Sequence, residues 1–163
     1  MNEQFYVIVH STAVNQFPDT VKIIEEYRDK TLVSVTEDSL DELRERGFRT
    51  VDLRKKSKLS IGEWEVDPAD PEDRARVAND RKRSFSGQAS EQDEDRHIVQ
   101  FIGPVKREWL QALSKLGVQF LRYYPDYAYL VRASASVLEQ VNGNLVVRGV
   151  IPFATFLISC GAC

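Results

Sequence analysis

HIVQFIGPVKREWLQALSKLGVQFLRYYPDYAYLVRASASVLEQVNGNLVVRGVIPF, residues His97 to Phe153, is the stretch on which the fold turns. Its opening, His97 to Gly103 (HIVQFIG), has the alternation of a strand with two different faces. Pro104 then starts a helical stretch in which Trp109, Leu110, Leu113 and Leu116 recur at helical spacing, and Gly117 suits a left-handed stop. Val118 to Tyr124 (VQFLRYY) reads as a second strand, Pro125-Asp126 as a turn and Tyr127 to Arg132 (YAYLVR) as the returning strand. Ser134 or Ser136 caps a second helix carrying Val137, Leu138 and Val141, and Asn142-Gly143-Asn144 ends it. Leu145 to Phe153 (LVVRGVIPF) is the last strand, with Pro152 at its end or on an edge. Strand, helix, strand, strand, helix, strand is the order of a ferredoxin-like split βαβ sandwich, α+β in class. Both helices then cover one face of four antiparallel strands, and the other face is expected to stay open for a partner.

Upstream of this stretch the composition changes. Asp67-Pro68-Ala69-Asp70-Pro71 opens a polar segment that Glu91-Gln92-Asp93-Glu94-Asp95-Arg96 closes, with Val77 and Phe85 as its only large apolar residues. Residues 67–96 therefore read as a charged flexible linker holding at most a transient helix from Pro71 to Arg83. The cluster Arg81-Lys82-Arg83 within it is either a solvated charge run or a protease-sensitive site. The amino-terminal part repeats the sandwich more loosely. It offers strands at Phe5 to Val9 (FYVIV), Thr31 to Val35 (TLVSV), Phe48 to Leu53 (FRTVDL) and Lys58 to Val66 (KLSIGEWEV). Helices are expected at Thr20 to Tyr27 (TVKIIEEY) and from Asp38 to Arg46, before Gly47. Leu32 to Leu53 echoes Val99 to Leu121 in architecture, although identity is too low for a sequence repeat. A chain of 163 residues suits two small units. The expected division is an α/β unit over 1–66, the linker 67–96, the ferredoxin-like unit 97–153 and an apolar tail 154–163.

With 22 Lys+Arg against 25 Asp+Glu, the net charge is -3, so the positive surplus that drives phosphate binding is missing and nucleic acid is not an expected partner. Met1-Asn2-Glu3-Gln4 has no basic character and the apolar run Phe5 to Val9 is too short for a signal core. No stretch approaches the roughly 20 apolar residues of a membrane span. The chain as written is expected in the cytoplasm, or outside the cell if it belongs to an exported precursor. Cys160 and Cys163 are the two cysteines, too close to the end to staple a core.

The phrases HIVQFIGPVKREWLQAL, LGVQFLRYYPDYAYLVRAS and LVVRGVIPF resemble the amino-terminal prodomain of fervidolysin-like, subtilisin-family serine proteases. Residues 1–66 look like the less well-defined region that precedes such prodomains. The resemblance implies an inhibitor and folding chaperone of a subtilisin-type serine protease, which lays an open sheet face on the enzyme and pushes its tail into the active-site cleft. A unit of this size is marginal alone, so a partner covering the second face stabilises both. The resemblance puts the carboxylate of Asp126 where it can meet the positive end of a protease helix, beside its plain reading as a turn aspartate. Pro152, Phe153, Ala154, Thr155, Phe156 and Leu157 are the candidate cleft-binding tail, against a last strand with a frayed end. Tyr124, Tyr127 and Tyr129, with Tyr123, are candidates for an aromatic partner face, against a place in the core. No Gly-Thr-Ser, His-Gly-Thr or Asp-Ser/Thr-Gly neighbourhood occurs, and His10 and His97 are the only histidines. A catalytic triad needs a histidine base held by a carboxylate, so no enzyme is expected and the protease acts in trans or lies downstream.

Two rival functions stay open. A ferredoxin-like regulatory module would bind a small metabolite; its RNA-binding form lacks the glycine and basic context around VQFLRYY and YAYLVR. A redox or metal-binding protein would use Cys160-Gly161-Ala162-Cys163, although no helix follows to lower a thiol pKa and zinc needs four ligands. No cofactor motif is present. Asp38, Asp41, Glu42 and Glu45 read as a solvated helix face, and Asp67, Asp70 and Asp73 lack the pattern of a calcium loop.

Overall fold

A computed structural model describes residues 3–61, 64–84 and 96–153 of the chain. The chain divides after Lys56, into Met1–Lys56 and Ser57–Cys163, so the hairpin region 57–66 belongs with the second unit and not with the first.

In the first unit the strands are β1 (Phe5–Val9), β2 (Lys22–Glu26), β3 (Thr31–Val35) and β4 (Thr50–Asp52), in the antiparallel order β2-β3-β1-β4. Alternation along β1 and β3 sends Phe5, Val7, Val9, Val33 and Val35 to one face, where they meet Leu40 and Leu43 of helix α1 (Glu37–Glu45) and Phe17. Phe48 closes this core edge-on against Phe17, with ring centroids 5.1 Å apart. The Thr36 hydroxyl starts α1 by accepting from the Ser39 N–H at 3.4 Å, with Glu37 and Asp38 in the positively polarised first turn. The expected helix at Thr20 to Tyr27 is not formed. Thr20, Val21, Ile23 and Ile24 are β-branched, and the free edge of β3 offers them a ladder, closed by the Tyr27 N–H donating to the Lys30 carbonyl at 2.8 Å. The connection from β1 to β2 carries a 3-10 turn, Val14–Gln16, and no α-helix.

The second unit begins with β5 (Leu59–Ile61) and β6 (Trp64–Val66), which pair with each other and form a separate two-stranded sheet. Helix α2 (Pro71–Ser84) follows, then β7 (Arg96–Phe101), α3 (Arg107–Leu116), β8 (Gln119–Tyr124), β9 (Ala128–Arg132), α4 (Ala135–Asn142) and β10 (Val147–Pro152). The four-stranded sheet has the antiparallel order β10-β7-β9-β8, which is the split βαβ arrangement expected for this stretch. Gly117, at φ 113°, ends α3 by the left-handed turn, and the Val118 N–H reaches back to the Leu113 carbonyl at 3.1 Å. Ser134 caps α4 by accepting from the Val137 N–H at 3.4 Å. On the helix side of the sheet, α3 buries Trp109 and Leu113, and α4 buries Leu138 and Val141. Trp109 stacks on Phe101 with centroids 5.9 Å apart.

The opposite sheet face is not open. Its residues Ile98, Ala128, Leu130, Ile151 and Phe153 form one buried cluster with Leu59 and Ile61 of β5, Val66 of β6 and Val77 of α2, and Trp64 packs against it. Residues 71–84, expected as linker, are thus a helix laid on the sandwich, with Val77 wholly buried. Average polarity hid this because a single well-placed apolar side chain per few turns is enough to dock a helix; burying it contributes roughly 1.5 kcal/mol. Of the expected linker, residues 85–95 lie outside the described residues.

Candidate functional site

The polar centre of the second unit is built where β10 is irregular. The register of β10 against β7 shifts between Val147 and Gly149, and Arg148 in the shift reaches the covered face. Its guanidinium donates to both carboxylate oxygens of Asp67, at 3.0 Å to Oδ2, to Oε1 of Gln100 at 2.9 Å and to the carbonyl of Ser57 at 3.1 Å. Gln100 is buried on β7 and passes the network on, its Nε2 donating to the carbonyl of Asp126 at 3.1 Å. Burial pushes the Asp67 carboxyl up, but hydrogen bonds from Arg148 and the Ala69 N–H, with the charges of Arg148 and Lys58, outweigh it and hold the group below its ordinary value. Next to this pair the backbones touch: a Cβ at Gly149 would lie 2.3 Å from the Pro68 carbonyl oxygen and 2.5 Å from its carbon. Asp73 of α2 accepts from the Asp67 N–H at 2.8 Å, and Arg76 donates to the Glu65 carbonyl at 3.1 Å beneath the Trp64 ring. The arrangement is a bidentate ion pair that buttons 57–84 to the sheet, with a branch to the β8–β9 turn.

Asp126 and Tyr127 in that turn both have left-handed backbones, at φ 65° and 66°. For a tyrosine this is a strained conformation. It is held by the Gln100 contact and by the Phe101 N–H donating to the Tyr127 carbonyl at 2.8 Å. The tyrosines expected to share an aromatic face are divided instead, because alternation along β8 puts neighbours on opposite sides. Tyr124 lies against the covered core, its ring 6.5 Å from that of Phe153. Tyr123 and Tyr129 lie on the helix side, 5.3 Å apart edge-on, in a chain of rings that includes Phe120 and Phe101. Tyr123, on the edge strand β8, is 51% exposed. Pro152 closes β10, and Phe153 is buried in the cluster of the covered face, its N–H donating to the Arg96 carbonyl at 3.0 Å. Phe153 is therefore an anchor of the core and not part of a free tail. Ala154, Thr155, Phe156, Leu157, Cys160 and Cys163 lie outside the described residues.

Residues 60–154 match the family described as Domain of unknown function (DUF8729). The chain belongs to that family. Comparison with curated proteins and with solved structures returned no match. The DUF8729 span opens inside β5 and runs through α2 to the end of β10, so the hairpin, the helix and the sandwich fall within one family unit.

Sequence reasoning missed Asp67, Gln100, Arg148 and Gly149 as a group. Three of them left a signal in the sequence: a glutamine inside HIVQF, and an arginine and a glycine inside LVVRGVIPF, interrupt otherwise apolar strands. A glycine inside a strand pattern marks a bulge or a close backbone approach, and both occur here. Among the described residues no three His, Cys, Asp or Glu side chains converge as metal ligands, and no helix is long and apolar enough to cross a membrane. On the described surface, the edge strand β8 presents an exposed aliphatic side chain, Leu121, and an exposed aromatic one, Tyr123.

Proposed function

We propose that the chain is a non-catalytic, prodomain-type inhibitor and folding assistant of a subtilisin-type serine protease, acting in trans or from within a longer precursor. The observation that carries this reading is the placement of β10. It is an edge strand of the split βαβ sheet, and Phe153 pins its end into the core. The segment Ala154 to Ser159 that follows is uncharged and mostly apolar, which suits a product-like occupant of a protease cleft. The protease-facing surface differs from the one implied by the prodomain resemblance, since residues 57–84 fill the second sheet face. In the described state, contact beyond the tail falls to the β8 edge, where Leu121 and Tyr123 are exposed. Main-chain pairing and side-chain pockets along such an edge are a general mode of protein recognition.

The test is inhibition of a panel of subtilisin-type proteases by the full chain and by a form lacking residues 154–163. The full chain is expected to inhibit, and the deletion to raise the half-inhibitory concentration about tenfold or more, equivalent to at least about 1.4 kcal/mol of binding. Equal inhibition by both forms ends the tail assignment. Absence of inhibition by the full chain ends the inhibitor reading itself.

A further inference from the structure

The two faces of the β7–β10 sheet are covered in different ways. On the helix side, α3 and α4 each bury two large apolar side chains and are covalent parts of the βαβ crossovers. On the other side, α2 packs on β10, and among its described side chains Val77 alone is buried. The other anchors among its described side chains are polar: Asp73 on the Asp67 N–H, Arg76 on the Glu65 carbonyl and over Trp64 at 5.1 Å. As a helix, α2 has no ladder bonds to the sheet it covers. A helix so charged, with Glu72, Asp73, Arg74 and Arg76 in its first turns, loses little by returning to water. The cluster that Val77 joins, by contrast, is apolar and includes Ile151 and Phe153 at the end of β10.

We infer that α2 is a detachable strap over β10, which lifts as a unit while the β7–β10 sandwich and the clamp at Arg148 stay folded, exposing an apolar groove that ends at Phe153. Local opening of this kind is expected where an element has few buried apolar contacts. On the inhibitor reading proposed above, on which this consequence rests, the opened groove adjoins the tail and gives the protease the sheet surface that the closed form withholds.

The strap is tested on the full chain by native-state hydrogen exchange at low guanidinium concentrations, with Val77→Ala as the variant. Alanine is the better helix former, so a loss of protection in this variant reports lost docking and not lost helix propensity. In the wild type, the amides of α2 are expected to exchange at least about tenfold faster than those of β7 and β9, with a smaller dependence on denaturant. Val77→Ala is expected to raise exchange in α2 about tenfold further, leave β7 and β9 unchanged, and increase fluorescence of a bound hydrophobic dye such as ANS. Exchange of α2, β7 and β9 at one common rate in the wild type overturns the strap even if the variant fails to fold. So does a Val77→Ala effect spread equally over the sheet. Protease inhibition is scored separately: inhibition about tenfold stronger in Val77→Ala than in the wild type supports the consequence, and equal inhibition removes it. Lack of inhibition by either form removes the inhibitor reading, and the strap then stands or falls on hydrogen exchange alone.

Discussion

Gly149 and Asp67 show how single residues fix the second unit, in opposite ways. At Gly149 the constraint is steric. A methyl group there would sit 2.3 Å from the Pro68 carbonyl oxygen and 2.5 Å from its carbon, and these two nearest atoms are backbone, so they do not move without the turn that holds them. Gly149→Ala is therefore expected to lower stability by about 3 kcal/mol, the upper end for overpacking a tight core, measured by denaturant unfolding with tryptophan fluorescence. At Asp67 the constraint is electrostatic. Its carboxyl is held below the ordinary value in the folded chain, so the unfolded chain binds the proton more readily. The pair's contribution is thus complete at neutral pH, begins to fall below about pH 4, and is lost as the pH drops through the folded value. Asp67→Asn is expected to cost about 2 kcal/mol at pH 7 and to flatten the acid limb of the stability profile below the ordinary carboxylate range. A profile of the same shape in Asp67→Asn and wild type would show that the pair contributes nothing to the acid transition.

At the scale of elements, the stops and starts of helices are the most legible features. Gly117 takes the left-handed cap that LGVQF announces, and its added Cβ would meet only Val137 at an ordinary 3.4 Å. Gly117→Ala therefore isolates backbone strain from packing, with an expected loss of about 1 kcal/mol in chemical denaturation. Thr36→Ala, which removes the hydroxyl that caps α1, is expected to cost a similar amount, about 1 kcal/mol, seen as a shift in the far-UV circular dichroism transition. The elements from β7 to β10 were readable because each has its own period and its own punctuation, from Pro104 and Gly117 to Ser134 and Gly143. Lys22–Glu26 was not, since TVKIIEEY fits an amphipathic helix as well as a strand, and the choice was made by the unpaired edge of β3. Residues 59–77 were hidden for another reason. Leu59, Ile61, Val66 and Val77 are spread over a hairpin and a helix and become one surface only when folded onto Ile98, Leu130 and Ile151. The candidate site followed the same rule: its ion pair joins residues 81 apart in sequence, a pairing with no local signature.

For the whole molecule, the two units share a strand order and differ in what completes them. Numbering the strands within each sandwich, both have the order 4-1-3-2, but the first has a 3-10 turn in its first crossover where the second has α3. Each has its own buried cluster, one drawn from Phe5 to Leu43 and the other from Leu59 to Phe153. Separate cores in chain-separate units predict separate unfolding, and the tryptophans provide the means to see it. Trp64 and Trp109 are the only two, and both belong to the unit that starts at Ser57. Leu43 of α1 is wholly buried in the first unit, and Leu113 of α3 is wholly buried in the second. Leu43→Ala is expected to destabilise its own unit by about 3 kcal/mol, moving part of the far-UV circular dichroism transition and leaving the tryptophan fluorescence transition in place. Leu113→Ala should move the fluorescence transition by a comparable amount, with the complementary part of the dichroism signal. If the two probes coincide in both variants and shift together, the chain unfolds as one cooperative body, and the buried clusters act as one core despite their separation along the chain.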